Sequence, residues 1–300
     1  MQVIIAGSHG LIGTALVEHL AAHGHHVRRL VRRPARCSRE ISWDPDGGAL
    51  DPEDLRGAQA VINLGGAGLG DSRWTAQYRR TILASRTAPT ALLARTLADM
   101  DDGPQVLLQG SAVGYYGDRG DAFLTEGSAP GDGFLVDVVQ AWEDATAPAE
   151  AAGVRVAHLR TGIVMSRSGG SFGRLLPLIR LGVGGPLGRG DNYWPWITLI
   201  DQVRAIEHLL DAEVSGPVNL TAPSPAPQRE IVRAVARSLR RPAVVPVPRL
   251  ALRIALGEFA EDILSSQRAL PAVLTAQGFE HEHPDLASAA AWVTRRPAPR

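Results

Sequence analysis

The run Val3-Ile4-Ile5-Ala6-Gly7-Ser8-His9-Gly10-Leu11-Ile12-Gly13 constrains the fold of this chain more than any other stretch. Its four apolar, mostly β-branched residues suit a strand buried on both faces. They stop at a G-x-x-G-x-x-G turn, after which Leu11, Ile12, Ala15, Leu16, Leu20 and Ala21 recur at helical spacing. Glycines between a strand and a helix let the turn close, let backbone approach a pyrophosphate and let the helix pack against the strand. Free N–H groups and the dipole at the helix start attract the phosphates. A second strand, His26–Val31, follows, so strand, glycines, helix and strand arrive in the order a dinucleotide-binding unit requires. Gly7, Ser8, His9, Gly10, Leu11, Ile12 and Gly13 are therefore the expected cofactor-binding turn. The plain alternative is a glycine-rich turn in another α/β fold.

Where an NAD enzyme usually carries an acidic residue for the ribose 2′-hydroxyl, the chain reads Val31-Arg32-Arg33-Pro34. Arginine there pairs bidentately with a 2′-phosphate, and the stretch offers no carboxylate to repel it, which favours NADP(H) through Arg32 and Arg33. A solvated surface role is the competing reading for both.

The alternation continues down the chain. Ala60–Leu64 reads as a buried strand leaving through Gly65, Gly66, Ala67 and Gly68, and Gln105–Gln109 as the next, with a long helix from Trp74 to Met100 between them. A helix over Phe134–Ala152 and a strand over Val154–Leu159 follow, ending at Arg160-Thr161-Gly162. Such βα repetition predicts a Rossmann-like, doubly wound parallel sheet whose ligands bind beyond the strand C-terminal ends. Leu64 to Ala67, Gly110 and Ser111 fall on that edge as expected cofactor contacts, and by analogy Gly65, Ala67, Thr161 and Gly162 are expected to line the nicotinamide side. From Ser166 to Asn192 the composition turns to glycine, arginine and leucine, which suits a mobile segment covering the substrate better than it suits the sheet. Residues 1–245 make the nucleotide-binding domain in this reading, and residues 246–295 a small, mostly helical C-terminal domain with Leu250–Leu264 amphipathic.

With 300 residues, 45% of them hydrophobic, the chain can bury a sizeable core, and 31 basic against 31 acidic residues leave no global charge to draw nucleic acid or an anionic membrane. No basic run precedes the first apolar residues and no stretch is long enough to span a bilayer, so a cytoplasmic monomer or homodimer acting on a small molecule is expected. Cys37 is the only cysteine, which rules out an internal disulfide and a cysteine-rich metal site. His19 and His23 stand one helical turn apart with His25 and His26 nearby. No carboxylate cluster in the sequence completes them, so they read as surface histidines and no metal is expected.

Taken with Arg73-Trp74-Thr75, Ser85-Arg86, SAVGYYG, Leu124-Thr125-Glu126, LRTGIV, WPWITLID, GPVNLTAPSP and LGEFAEDILSSQRALP, these segments resemble an atypical extended short-chain dehydrogenase/reductase family. It is epimerase-like, of unknown function, and carries a small C-terminal domain. The resemblance covers nearly the whole chain and implies an NADP(H)-binding fold with a substrate lobe. Ordinary members of that superfamily use a tyrosine and, one helical turn later, a lysine. Here every one of the 31 basic residues is arginine. Placing FLVDVVQAWE on the family pattern puts Leu135 and Val139 at the tyrosine and lysine positions, while Ser111 matches the family's upstream serine and Arg86 stands where a structural asparagine is usual.

Another group must then exchange the substrate's proton. Tyr115 and Tyr116 lie just beyond Ser111, and Arg86 is a source of the positive charge that lysine normally supplies, so Ser111, Tyr115, Tyr116 and Arg86 form the expected catalytic set. The competing reading packs both tyrosines in the loop and gives Ser111 a backbone partner. Glu126 reads as a turn brace and Trp142 as core. A serine hydrolase is disfavoured because GSAVG is not G-x-S-x-G. The rival from a different class is a regulatory or scaffold protein that binds NADP(H) without hydride transfer.

Overall fold

The computed structural model describes residues 1–243 and 245–295. Its first half runs β1 (Gln2–Ala6), α1 (Leu11–Ala22), β2 (His26–Val31), β3 (Glu40–Ser42), β4 (Ala60–Asn63), α2 (Ala76–Ala98) and β5 (Val106–Ala112). After a tight turn over Val113–Tyr116 come β6 (Phe123–Leu124), α3 (Phe134–Asp144), α4 (Ala147–Ala151), β7 (Arg155–Thr161), β8 (Ile163–Met165) and α5 (Gly170–Arg180). The remainder is β9 (Tyr193–Trp194), β10 (Trp196–Thr198), α6 (Leu199–Asp211), β11 (Gly216–Leu220), β12 (Ala226–Pro227), α7 (Gln228–Ser238), α8 (Arg249–Leu256), α9 (Phe259–Ile263), β13 (Arg268–Ala269), α10 (Ala272–Ala276) and α11 (Leu286–Thr294).

Seven of these strands make one parallel sheet in the order β11-β7-β5-β4-β1-β2-β3. The chain winds outward from β1 to β3 and then crosses back to β4, so the glycine turn leaves β1 at the point where the strand order reverses. Helices cover both faces, which is why β1 carries no alternation. Val3 and Ile5 pack with Leu16, Leu20 and α6 residues on one side, and Ile4 and Ala6 with Leu92, Leu93 and Leu97 on the other. Burial of about 25 cal/mol per Å² of such apolar surface is the main force holding the layers together.

Three local expectations are corrected. The segment Ser166–Asn192 is not loose: α5 lies within it and buries Phe172, Leu176 and Ile179 with Trp194, Trp196 and Ile231 in a second core. The helix expected over Phe134–Ala152 breaks at Ala145 and Thr146. There the Thr146 hydroxyl donates to the Glu143 carbonyl at 2.6 Å, and Pro148 has no N–H to continue the ladder. Leu250–Leu264 is split into α8 and α9 at Gly257, whose φ of +63° suits glycine and ends a helix.

The C-terminal elements are distributed over the molecule. β13 pairs with β6, Leu274 of α10 joins the main core, and α11 packs on α7. Only α8 and α9 form a cluster of their own, through Leu252, Ala260 and Leu264. On α9, burial pushes the Asp262 carboxyl from its ordinary 3.8 up to about 6. In that window the folded chain keeps a proton that the unfolded chain releases, so stability is lost as pH rises through it. Asp262→Asn is therefore expected to raise stability at pH 7 by up to about 3 kcal/mol and to change little near pH 4, as read by urea unfolding at both.

Candidate nucleotide and active site

The glycine turn is fixed by how closely backbone passes backbone. Gly7 has φ +77°, and a Cβ there would lie 2.7 Å from the Leu64 carbonyl carbon; a Cβ on Gly13 would lie 2.2 Å from the Gly7 oxygen. Gly10 caps α1 in extended conformation with no side chain on the helix start and no acidic residue in its first turn. The first-turn N–H groups of α1 thus carry no side-chain cap and no nearby first-turn carboxylate, the arrangement a pyrophosphate needs. Ile12 turns into the main core, Ser8 is buried beneath His9, and Leu11 meets Gly169 and Gly170 at the start of α5. The segment expected to cover the substrate therefore also reaches over this turn.

At the end of β2 the two arginines part company. Arg32 keeps half its side chain exposed, and Asp46 is the one carboxylate paired with it among the described residues, at 3.6 Å. Arg33 instead donates to both oxygens of Glu40, at 2.7 and 2.8 Å. The expectation that Arg33 faces a 2′-phosphate is corrected: β3, which the sequence reading missed, supplies a carboxylate that takes its fork. The Arg33 bonds and the Arg36 backbone N–H hold the Glu40 carboxyl at about 2. Glu40 is thereby neutralised beside the position that Arg32 leaves open.

On the other side of the glycine turn, Leu64 and Gly65 touch Gly7, and the Asn63 side chain accepts from the Gly65 N–H at 3.3 Å. Arg86 braces the loop that follows, donating to the Ala67 and Ile82 carbonyls at 3.0 Å each, with its guanidinium carbon 3.2 Å from where a Gly66 Cβ would be. Burial pulls Arg86 down to about 10, and among the described residues no carboxylate pairs with it. Gly110 is needed for packing, since a Cβ there would meet the Asn63 carbonyl at 2.9 Å and the Trp142 ring at 3.1 Å. Gly162 likewise lies against Pro195, and the Thr161 hydroxyl donates to Leu159 O and accepts from Gln202.

Ser111 ends in a buried ion pair. Its hydroxyl donates to Glu143 Oε1 at 2.5 Å, and Arg160, its register partner on β7, donates to both Glu143 oxygens at 2.8 Å. Burial alone would lower the Arg160 guanidinium, but the Glu143 bonds and charge outweigh it and leave it above its ordinary value. Tyr116 has no exposed surface; its hydroxyl donates to Asn219 Oδ1 at 2.7 Å and accepts from Arg160 at 3.2 Å. Burial first of all raises that phenol. Tyr116 as a proton-exchanging acid is corrected on these grounds, because both its donor and acceptor functions are committed inside the core. Arg86 as the cation beside the tyrosines is corrected too: Arg160 occupies that place, with its guanidinium carbon 3.5 Å from the Tyr115 ring centroid. Tyr115 is half-buried, and among the described residues nothing hydrogen-bonds its hydroxyl. Leu135 and Val139, placed by the family resemblance at the tyrosine and lysine positions, lie beside Gly114 with apolar atoms.

Residues 3–221 match the NAD dependent epimerase/dehydratase family. The chain belongs to that family. Residues 247–293 of this epimerase-family protein match a second family, a domain of unknown function (DUF1731). The epimerase family protein MT2273 of Mycobacterium tuberculosis is 41% identical over 297 residues, covering 98% of each chain. The crystal structure of human epimerase family protein SDR39U1 with NADPH aligns with a TM-score of 0.87 at 31% identity, over 98% of this chain and 99% of that one. A nucleoside-diphosphate sugar epimerase from Corynebacterium glutamicum aligns at 0.80 and 33% identity, over 98% of this chain and 58% of its own.

Within this epimerase-family fold the sequence reading missed Glu143 and Arg160 as a pair. Each carried a signal, a charged residue among the buried positions of a core helix or strand, since a buried charge demands a partner. Glu126 completes the network by accepting from the backbone N–H groups of Asn219 and Val273 at 3.0 and 3.1 Å. Arg160→Met leaves the Glu143 charge buried alone and is expected to cost roughly 3–5 kcal/mol in denaturant unfolding. The double substitution Arg160→Met/Glu143→Leu is expected to recover most of that loss.

Proposed function

We propose that this epimerase-family protein is an NADPH-dependent oxidoreductase that acts on a small carbonyl or hydroxyl compound, with Tyr115 in place of the missing tyrosine–lysine pair. The observation that carries the cofactor is the juxtaposition at the ends of β1 and β2. A Cβ at Gly7 or Gly13 would collide with neighbouring backbone, so only glycine lets the turn pack tightly before the uncapped start of α1, and Arg32 stands half-exposed while Arg33 pairs with Glu40. The human relative solved with NADPH supports the same reading. Arg32 would hold the 2′-phosphate, the α1 start the pyrophosphate, and the Gly65–Ala67 loop with Thr161 and Gly162 the nicotinamide side. When bound, NADPH supplies a hydride.

The protein's own part is to position and to move a proton. Arg86 fixes the Gly65–Ala67 loop, and Arg160 fixes the Tyr115 ring from beneath. Tyr115 is left as the hydroxyl free to exchange a proton with a substrate oxygen. Ser111 and Tyr116 act through the buried pair, as positioning groups rather than proton carriers.

A specific observation favours the second reading, a non-catalytic NADP(H)-responsive protein: the Ser111 hydroxyl is committed to Glu143, and Leu135 and Val139 are apolar. Calorimetric titration with NADPH and NADH, followed by NADPH oxidation against a panel of small aldehydes and ketones, separates the two. The proposal expects preference for NADPH, lost in Arg32→Ala, and turnover reduced at least tenfold by Tyr115→Phe with cofactor affinity kept. NADPH binding with no oxidation of any panel member supports the second reading, and undiminished turnover in Tyr115→Phe removes the tyrosine from the mechanism.

A further inference from the structure

We infer that His19, His23 and Glu207 form a site for a divalent transition metal, most suitably Zn²⁺, at the seam between α1 and α6. On α1 the two histidines are one turn apart and share a face, with ring centroids 4.3 Å from each other. The expectation that nothing completes this pair is corrected by the fold: α6 packs on α1 and brings Glu207, which is 188 positions away from His19 in the chain. His19 Nε2 lies 2.7 Å from Glu207 Oε2, and His23 Nδ1 lies 3.5 Å from Glu207 Oε1. One ligand atom from each of the three residues falls within 4.8 Å of the others. Nitrogen and oxygen atoms on one tetrahedral zinc, with bonds near 2.0–2.2 Å, stand about 3.3 Å apart, so side-chain movement alone closes the gap.

The surroundings favour an ion. His19 is largely buried, with 11% of its side chain exposed, whereas His23 is 53% exposed and its Nδ1 lies 2.9 Å from the His19 carbonyl oxygen, a contact the metal would replace; that exposure leaves a path for the metal and room for water as a fourth ligand. His25 Nε2 stands 3.4 Å from Glu207 Oε1, and its Nδ1 is buried without a partner. His25 thus stands on the outer side of the carboxylate, where partners of metal-bound carboxylates are found. Imidazole and carboxylate together are the donor set that suits zinc rather than magnesium or calcium. The site sits near the C-terminal end of α1, about 13 Å along the helix from Gly10, so it is separate from the glycine turn. Its physical role is to staple α1 to α6.

The test is calorimetric titration of tag-free Cys37→Ser protein with Zn²⁺, since Cys37 is an exposed thiol that would bind zinc on its own. One equivalent is expected to bind per chain, with at least tenfold weaker affinity in His23→Ala and in Glu207→Gln. Added Zn²⁺ should raise the melting temperature of the parent and leave that of His23→Ala unmoved. His23 is exposed, so the metal-free melting temperature of that variant should match the parent's and exclude misfolding as the cause. No binding by the parent, or equal binding by both variants, would overturn the site and leave the cluster as hydrogen bonds alone.

Discussion

The ion pair between Glu143 and Arg160 is the constraint on which the active-site end depends. Two charges are kept out of water there, and such a pair persists only when its geometry is good and the remaining polar positions are filled. Arg160 meets both carboxylate oxygens, Ser111 fills one further position on Glu143, and Tyr116 receives the third guanidinium contact. Through Tyr116 the network reaches Asn219 on β11, and through Glu126 it reaches the start of α10. One chain of polar contacts therefore ties β5, α3, β7, β11 and the C-terminal elements together.

This arrangement changes what the family's scaffold can do. α3 presents Leu135 and Val139 to Gly114, and one turn on it carries the buried Glu143. A positive charge stands beneath the Tyr115 ring; it comes from strand β7, and its countercharge Glu143 is buried with it. The Tyr115 ring rests on that cation while Tyr116, next in sequence, is sealed away. Adjacent residues on a tight turn face different surroundings: Tyr116 is fully buried and Tyr115 only partly.

The fold was legible because it rests on local patterns: buried strands without alternation, glycines between strand and helix, and repeated βα units. The tight turn between β1 and α1 was legible for the same reason, since Gly7, Gly10 and Gly13 act on neighbours in the chain. What escaped were pairings across long separations. Glu40 lies on a three-residue strand too short to carry a hydrophobic pattern, and it alone decides that Arg33 turns inward. Glu207 reaches His19 only because α6 packs on α1. The glycine-rich stretch after Ser166 was misjudged because apolar residues spaced for a helix, Phe172, Leu176 and Ile179, were diluted by flexible ones.

The central claim is that Tyr115, held by the Glu143–Arg160 pair, is the titratable group facing the reactive ring. A crystal structure of the chain with NADPH tests it most directly. The account predicts the nicotinamide ring between the Gly65–Ala67 loop and Thr161, with the Tyr115 hydroxyl as the nearest side-chain acid and Ser111 still bound to Glu143. A ring that meets Ser111 released from Glu143, or a Tyr115 turned away from it, would contradict the account.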